Sequence, residues 1–596
     1  MPVVIGFTFP GIHDNAACAI VDGKLVFAAE EERYSRHKYS VGDIPETSVI
    51  RTLGHLASLG IGPEDVDAFA VNWDLTRIPM RNLKESADLF LHNSKPLQEM
   101  NYMVSYSSYA RKMVVAGLKG RTQAELARLF IQGVYRRIGA RFPEGAKVIP
   151  ILHHLSHAAS AFYFSGFDSC AVLTIDARGE ADSTVLWDVK SGEFERIATV
   201  TYWEGSIGEV YSYVSMKLGF DELSGPGKVM GLAPYGSHKE NLAGKFARIG
   251  TVCEGGDFPY KFSPEFRRRN PREMYTRIAD FLSEGLELSW SSKGELCRDA
   301  TDLAYSLQEF TDNLVVGTGT WSVKATHRKQ LAMAGGVALN AKANMMLYYS
   351  RMFDDMWVFP AANDAGAAIG AAAYVHQNVL GGRMKHGRLE SLYLGEEYDD
   401  EAVSRVVKRS KFRAKFVGSD ANPVAQLLTH GAVVGWWQGR PEFGPRALGN
   451  RSIVADPTNK DSWREVNAIK GREFWRPLAP SLLQEQRDKY LEGACDHKFM
   501  VMMFRMSEQG AARVPAVCHV DRTTRPQVVS RPDNETWYDL IKAFGDLTGD
   551  PILLNTSFNL AGEPLVQTPE HALRSFAISG LDALYLQGWL IEKSGN

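Results

Sequence analysis

The chain has 596 residues, 67 basic and 70 acidic side chains, and a formal net charge of −3. That length exceeds what one hydrophobic core usually serves, so at least two domains are expected. The near-neutral balance gives no electrostatic case for duplex nucleic acid or an acidic membrane surface, which leaves small molecules as the expected partners. Six cysteines stand far apart at 18, 170, 253, 297, 495 and 518. They have neither zinc-site spacing nor the density of a disulfide framework, and a reducing cytoplasm is the expected location. No basic-then-apolar segment opens the chain, and His13-Asp14 interrupts its first hydrophobic run. Neither a signal peptide nor a membrane helix is expected.

In chain order, residues 3–9 read as a buried strand, and residues 16–21 and 24–29 as two more joined at Asp22-Gly23, a dipeptide suited to a tight hairpin. Residues 73–137, rich in Met, Tyr and Arg, read as an amphipathic helical insertion and as a source of acceptor contacts. Next comes His153-His154-Leu155-Ser156-His157. On a helix, His153 and His157 share a face one turn apart, a spacing at which two imidazoles can hold one cation; it is equally a packing pattern. His154 stands where a zinc protease would carry its glutamate, so that chemistry is not indicated. Residues 171–175 then lead through the polar loop 176–180 to residues 183–189 and a second turn at Ser191-Gly192. Two such openings suggest a duplicated α/β core, whose strand-end loops can hold nucleotide phosphates.

Three glycine-rich segments follow, at 224–232, 335–340 and 363–368. Glycine permits close backbone approach to a ligand; Lys228 has the chemistry for a phosphate and Asn340 for a ribose hydroxyl. None is a Walker loop or a dinucleotide fingerprint. Asp364 precedes an Ala-rich helix and is read as a helix cap, a metal ligand, or both.

His13-Asp14-Asn15-Ala16-Ala17, Glu30-Glu31-Glu32-Arg33, the 153–162 segment and Gly335 through Asn340 together resemble the O-carbamoyltransferases of nodulation-factor, antibiotic and toxin biosynthesis. The resemblance covers nearly the whole chain. It implies a duplicated actin/hexokinase-like (Kae1-like) α/β domain over residues 1–385, a linker at 386–400, and an α/β YrdC-like domain over 401–596. It also implies a metal site of His153, His157, Asp176 and Asp364, holding Fe²⁺ or another divalent transition metal. Carbamoyladenylate is expected on Gly205, Lys228, Asn340 and Asp364.

The second half of the chain is rich in arginine, most densely over residues 435–480, where Gly, Pro and Trp interleave with the charges. A shaped pocket is the expectation, because guanidinium groups give phosphates paired charge-assisted hydrogen bonds. The segments 519–527 and 555–559 add side-chain amides and a hydroxyl after an apolar strand. By resemblance, Arg446, Lys470, Arg472, Arg476, Arg525, Asn555 and Ser557 bind ATP and carbamoyl phosphate, with Arg451 a further candidate and Mg²⁺ accompanying ATP. The implied reaction joins carbamate to the α-phosphate of ATP and passes the carbamoyl group to a hydroxyl of a small-molecule natural product. His13 is the expected base, since imidazole titrates near the working pH. Homodimerisation is open. The other classes weighed are a tRNA threonylcarbamoyl-type modification enzyme, a non-catalytic nucleotide-binding protein and a sugar kinase.

Overall fold

The computed structural model describes residues 2–9, 12–74, 77, 123–253, 259–268, 270–288 and 296–593. The chain forms two compact units: Met1–Val229 with Gly236–Leu389, and Met230–Tyr235 with Glu390–Asn596.

The first unit is built on two five-stranded sheets. The first takes β1 (Val3–Phe7), β2 (Ala16–Val21), β3 (Lys24–Glu30), β4 (Ala68–Val71) and β5 (Lys147–Pro150) in the order β3-β2-β1-β4-β5. The second takes β6 (Ser169–Ile175), β7 (Asp182–Lys190) and β8 (Glu193–Thr201). After a small hairpin of β9 (Gly250–Val252) and β10 (Tyr260–Phe262), it is completed by β11 (Gln330–Ala334) and β12 (Asp355–Val358), in the order β12-β11-β6-β7-β8. The two sheets share one plan. A central strand pairs antiparallel with its hairpin partner on one side and parallel with a later strand on the other. This is the duplicated α/β core the resemblance implied. Both turns take the left-handed backbone their sequences favour, with φ of 48° and 73° at Asp22-Gly23 and 53° and 83° at Ser191-Gly192.

Two buried helices carry the residues of interest. The helix Asp364–Tyr374 is Ala- and Gly-rich and buried along ten of its eleven residues, as expected of a helix apolar on every side. It packs on β1, β2 and the helix His153–Tyr163. At the crossing, a Cβ on Gly370 would overlap the carbonyl oxygen of Ser156. Only a residue without a side chain lets these two backbones come so close. The helix Gln123–Arg137 falls within the expected insertion. Apart from it, Trp73, Asp74 and Arg77, that stretch lies outside the described residues.

The second unit is also α/β. Its main sheet has eight strands in the order β13-β22-β21-β14-β15-β20-β16-β19. These are β13 (Arg413–Phe416), β14 (Val434–Trp437), β15 (Arg451–Ala455), β16 (Ala479–Leu483), β19 (Gln527–Val529), β20 (Ile552–Ser557), β21 (Ala583–Leu586) and β22 (Trp589–Glu592). A short hairpin of β17 (Phe504–Arg505) and β18 (Thr523–Thr524) stands apart from it. One face of the main sheet packs Trp436 against Tyr585, rings 3.9 Å apart, with Trp537 beside them. Among the described residues no helix is long and apolar enough to cross a membrane.

The helix crossing yields a direct prediction. Gly370→Val inserts a branched side chain where no space exists, and overpacking of this kind costs about 1–3 kcal/mol. Denaturant unfolding should show that loss; unchanged stability would contradict the close approach.

Candidate functional site

In the first unit, His153 and His157 lie on the first and second turns of their helix, both fully buried. Asp176 follows the last residue of β6, and Asp364 opens the Ala-rich helix. These four side chains converge. The two Nε2 atoms are 3.2 Å apart; each lies 3.2 Å from Asp176 Oδ2, and they lie 3.5 and 3.6 Å from Asp364 Oδ1. One donor atom from each of the four lies within 4.8 Å of all the others. The reading of Asp364 as a cap is corrected here: Asn363 holds the cap position without a side-chain cap bond, while the Asp364 carboxylate faces the histidines.

This donor set fits a metal ion. A tetrahedron with ligand bonds of about 2.0–2.1 Å has edges of about 3.3–3.4 Å, close to the separations found here. Two imidazoles and two carboxylates suit a borderline divalent transition metal without singling out iron. The Nδ1 of His153 lies 3.3 Å from the carbonyl oxygen of Asn72, which can only accept, so Nδ1 carries the proton and Nε2 is left to bind. His157 Nδ1 is buried without a hydrogen-bond partner. His154 turns elsewhere. Its Nδ1 meets Thr174 Oγ1 at 2.8 Å, and its Nε2 meets the carbonyl of Asp182 at 3.1 Å. Burial, then the charge of His153, pushes it down to about 3, so it is a neutral structural residue.

Without an ion, the two carboxylates favour a protonated histidine. Burial alone would lower His157, but hydrogen bonds to Asp176 and Asp364 raise it to about 9. Burial would raise both carboxyls; instead His153 and His157 hold Asp176 well below the usual range and also depress Asp364.

His13 sits on the turn between β1 and β2, with Nδ1 3.0 Å from Asp14 Oδ2. Burial would lower it, yet the Asp14 hydrogen bond and the charges of Asp364, Asp14 and Asp176 raise it to about 10. The turn is braced by a neighbouring loop. Asp14 N–H donates to Tyr39 O (2.7 Å), Asn15 N–H to Ser40 Oγ (2.9 Å) and Asn15 Nδ2 to Ser40 O (2.6 Å). The Glu30–Arg33 motif supports that loop: Glu30 pairs with Arg33, and Glu31 accepts from Thr47 and Ser48 at the start of helix Glu46–Ser58.

Gly205 lies against the Phe262 ring, leaving no room for a side chain, and its carbonyl accepts from Ser183 Oγ at 2.6 Å. The next residue, Ser206, caps the helix Ile207–Lys217 and donates to the carbonyl of Ala177, so this helix start abuts the loop of Asp176. Asn340 caps the helix Ala341–Tyr349 and exchanges hydrogen bonds with Gln308, both at 3.1 Å. Lys228 stands over the Phe220 ring at 5.4 Å.

In the second unit, Arg446, Arg472, Arg476 and Arg525 are close enough to repel one another. Burial and then the charges of Arg446, Arg476 and Arg472 push Arg525 well below the usual guanidinium range. Burial and Arg476 push Arg472 down to about 9. The Nε atoms of Arg472 and Arg525 are buried without hydrogen-bond partners. Arg476 lies 3.7 Å from Glu473 and Arg472 Nη2 donates to Thr556 Oγ1 at 2.6 Å, and the excess of positive charge that remains favours an anion. Lys470 is bound to chain atoms instead: its Nζ donates to the carbonyls of Ser557 and Asn559 and to Asn559 Oδ1. Ser557 Oγ donates to Asn559 Oδ1 at 2.6 Å. Asn555 is buried in β20, where its Nδ2 meets Ser481 Oγ and Ala447 O, while its Oδ1 has no partner. Arg451 belongs to the framework. It is fully buried, donates to the carbonyls of Gln438, Asn450, Gly439 and Gln567, and stands 3.9 Å over Trp437.

Residues 4–373 match the family model described as carbamoyltransferase N-terminus, and residues 425–593 match the one described as carbamoyltransferase C-terminus. The chain belongs to the carbamoyltransferase family. Nodulation protein NolNO of Sinorhizobium fredii is 34% identical over 98% of this chain and 79% of its own length. Nodulation protein NolO of Bradyrhizobium diazoefficiens is 37% identical over 74% of this chain and 78% of its own. An uncharacterized protein of Synechocystis is 32% identical over 98% and 95%. This carbamoyltransferase therefore matches both family regions, and each contains one of the two side-chain clusters described above.

Sequence reasoning missed Glu180, Asn72 and Trp73, which support His153 from outside the donor set. Glu180 was visible as one acid in a polar loop; nothing in the spacing of Asn72 or Trp73 marked them.

Because His157 is protonated below about 9, metal binding at pH 7 must expel that proton. Calorimetry in buffers of different ionisation enthalpy should show release of about one proton, with affinity rising about tenfold per pH unit from 6 to 8. A pH-independent affinity would contradict this.

Proposed function

We propose that this carbamoyltransferase is an ATP-dependent O-carbamoyltransferase working in two stages. The second unit forms carbamoyladenylate from carbamoyl phosphate and Mg²⁺-bound ATP. The first unit transfers the carbamoyl group to a hydroxyl of a small-molecule natural product. The observation that carries the reading is the pairing, in one chain of this family, of a four-arginine cluster with a buried four-donor cluster.

The arginine cluster suits the first stage. Water cleaves carbamoyl phosphate to carbamate and inorganic phosphate; a carbamate oxygen then attacks the α-phosphorus of ATP and pyrophosphate leaves. Such steps are promoted chiefly by alignment and by stabilising charge on phosphoryl oxygens, which Arg446, Arg472, Arg476 and Arg525 are arranged to do. Lys470 and Ser557 hold the segment after β20 in shape, so their contribution is to position it.

In the second stage the acceptor oxygen attacks the carbamoyl carbon, AMP leaves, and the hydroxyl proton passes to a base. His13 suits that role. Its Nδ1 is engaged by Asp14, which orients the ring and leaves Nε2 for the acceptor. His153, His157, Asp176 and Asp364 would hold a divalent transition metal, proposed as iron. When bound it would supply a Lewis acid for phosphate or carbamoyl oxygens and offset the Asp364 and Asp176 charges, which after the Asp14 hydrogen bond hold His13 at about 10 rather than near the working pH expected from its sequence; as a base it must first lose that proton. The start of helix Ile207–Lys217 turns its N-terminal end toward the Asp176 loop, the setting a phosphate prefers, and Gly205 precedes it with its own N–H donating to Thr201 O at 3.0 Å. Lys228 and Asn340 are assigned to the same adenylate.

Separating the stages tests the reading. His13→Ala should retain pyrophosphate release from ATP and carbamoyl phosphate while losing transfer. Arg525→Ala should lose pyrophosphate release yet transfer from supplied carbamoyladenylate, each defect being about 2–5 kcal/mol. Equal loss of both activities in both variants would contradict the division of labour.

A further inference from the structure

Glu180 lies outside the four donors, is only 5% exposed, and spends its carboxylate on backbone N–H groups of two other segments. Its Oε1 accepts from Asp74 at 2.9 Å and from His153 at 3.0 Å, and its Oε2 accepts from His153 at 3.2 Å. His153 is the first residue of its helix, and the preceding Leu152 offers no side-chain cap. Glu180 therefore caps that helix from 27 residues further along the chain, placing a carboxylate at the end where unsatisfied N–H groups and the helix dipole favour one.

Three segments meet at this one group. Asp74 belongs to the exit of β4, where Asn72 O receives His153 Nδ1 and the Trp73 ring stacks on the His153 imidazole at 4.2 Å. The helix start supplies two donors, His153 and His157. Glu180 itself sits in the loop between β6 and β7, four residues after the donor Asp176. The exit of β4 comes from one sheet and the loop from the other, so the carboxylate ties both halves of the duplicated core to the helix.

We infer that Glu180 is a positioning residue for the metal site, fixing His153 and the Asp176 loop before the ion arrives. The inference rests on reading the cluster as a metal site. Without the carboxylate, the half-buried N–H of Asp74 and the buried N–H of His153 lose this acceptor, and the helix start and the loop are released from each other. Outer groups of this kind typically change metal affinity by about 10–100-fold.

The test uses the full chain, stripped of metal and titrated with Co²⁺ against a chromogenic chelator, with the visible ligand-field spectrum as a second readout. Glu180→Ala should bind Co²⁺ about 10–100-fold more weakly, with an altered spectrum. Glu180→Gln, which keeps one accepting oxygen, should show a smaller loss. Asp188→Asn is the control for general destabilisation. It breaks the pair in which Arg328 donates to both oxygens of Asp188, at 2.7 and 3.2 Å in the same unit, and should keep the parent affinity and spectrum. Parent-like affinity and spectrum in both Glu180 variants would overturn the inference, as would an equal loss in Asp188→Asn. If the Ala variant does not fold, parent-like binding by the Gln variant alone overturns it. Absence of Co²⁺ binding by the parent would instead remove the metal reading, and the inference with it.

Discussion

The first unit depends on a confined electrostatic problem: two imidazoles and two carboxylates pressed together out of water. Left alone, such a group favours a proton between its members, which raises His157 and depresses Asp176 and Asp364. The arrangement is imposed by packing. Small residues along the Ala-rich helix, and the missing side chain at Gly370, bring that helix against His153–Tyr163, so that Asp364 arrives opposite the histidines. A divalent cation would satisfy the same charges, and the five histidine separations of 3.2–3.6 Å are close to tetrahedral edges.

The second unit poses the opposite problem. Four guanidinium groups raise one another's energy, and the lowered Arg525 and Arg472 record both that repulsion and their burial. An anion would relieve it through charge-assisted hydrogen bonds. The framework around them is held separately: both terminal nitrogens of Arg451 donate to carbonyls and its guanidinium lies over an indole face, while Lys470 donates to the segment after β20. Position in the fold, rather than residue type, separates the mutually repelling arginines from the one that braces the sheet.

Much of this was legible in the sequence. The Asp22-Gly23 and Ser191-Gly192 turns marked two equivalent hairpins, and the structure places them at the same point of two sheets of one order. The helical spacing of His153 and His157 put them on one face. Asp364 was readable only as a cap or a ligand, because nothing local indicates which helix lies across from it; that information resides in the packing of small residues. Glu180 and Asn72 were illegible as contributors for a related reason. Their roles rest on backbone groups of distant segments, and a backbone N–H or carbonyl leaves no residue-type signature. The arginine-rich stretch was conspicuous, but composition alone could not tell Arg451 from Arg525.

The most direct test of the central claim is anomalous X-ray diffraction, at the metal absorption edge, from crystals grown anaerobically with Fe²⁺. The account predicts one peak bonded by His153 Nε2, His157 Nε2, Asp176 and Asp364 at about 2.0–2.2 Å, with the imidazole–carboxylate hydrogen bonds replaced. A density map with those hydrogen bonds intact and no anomalous peak among the four side chains would contradict it.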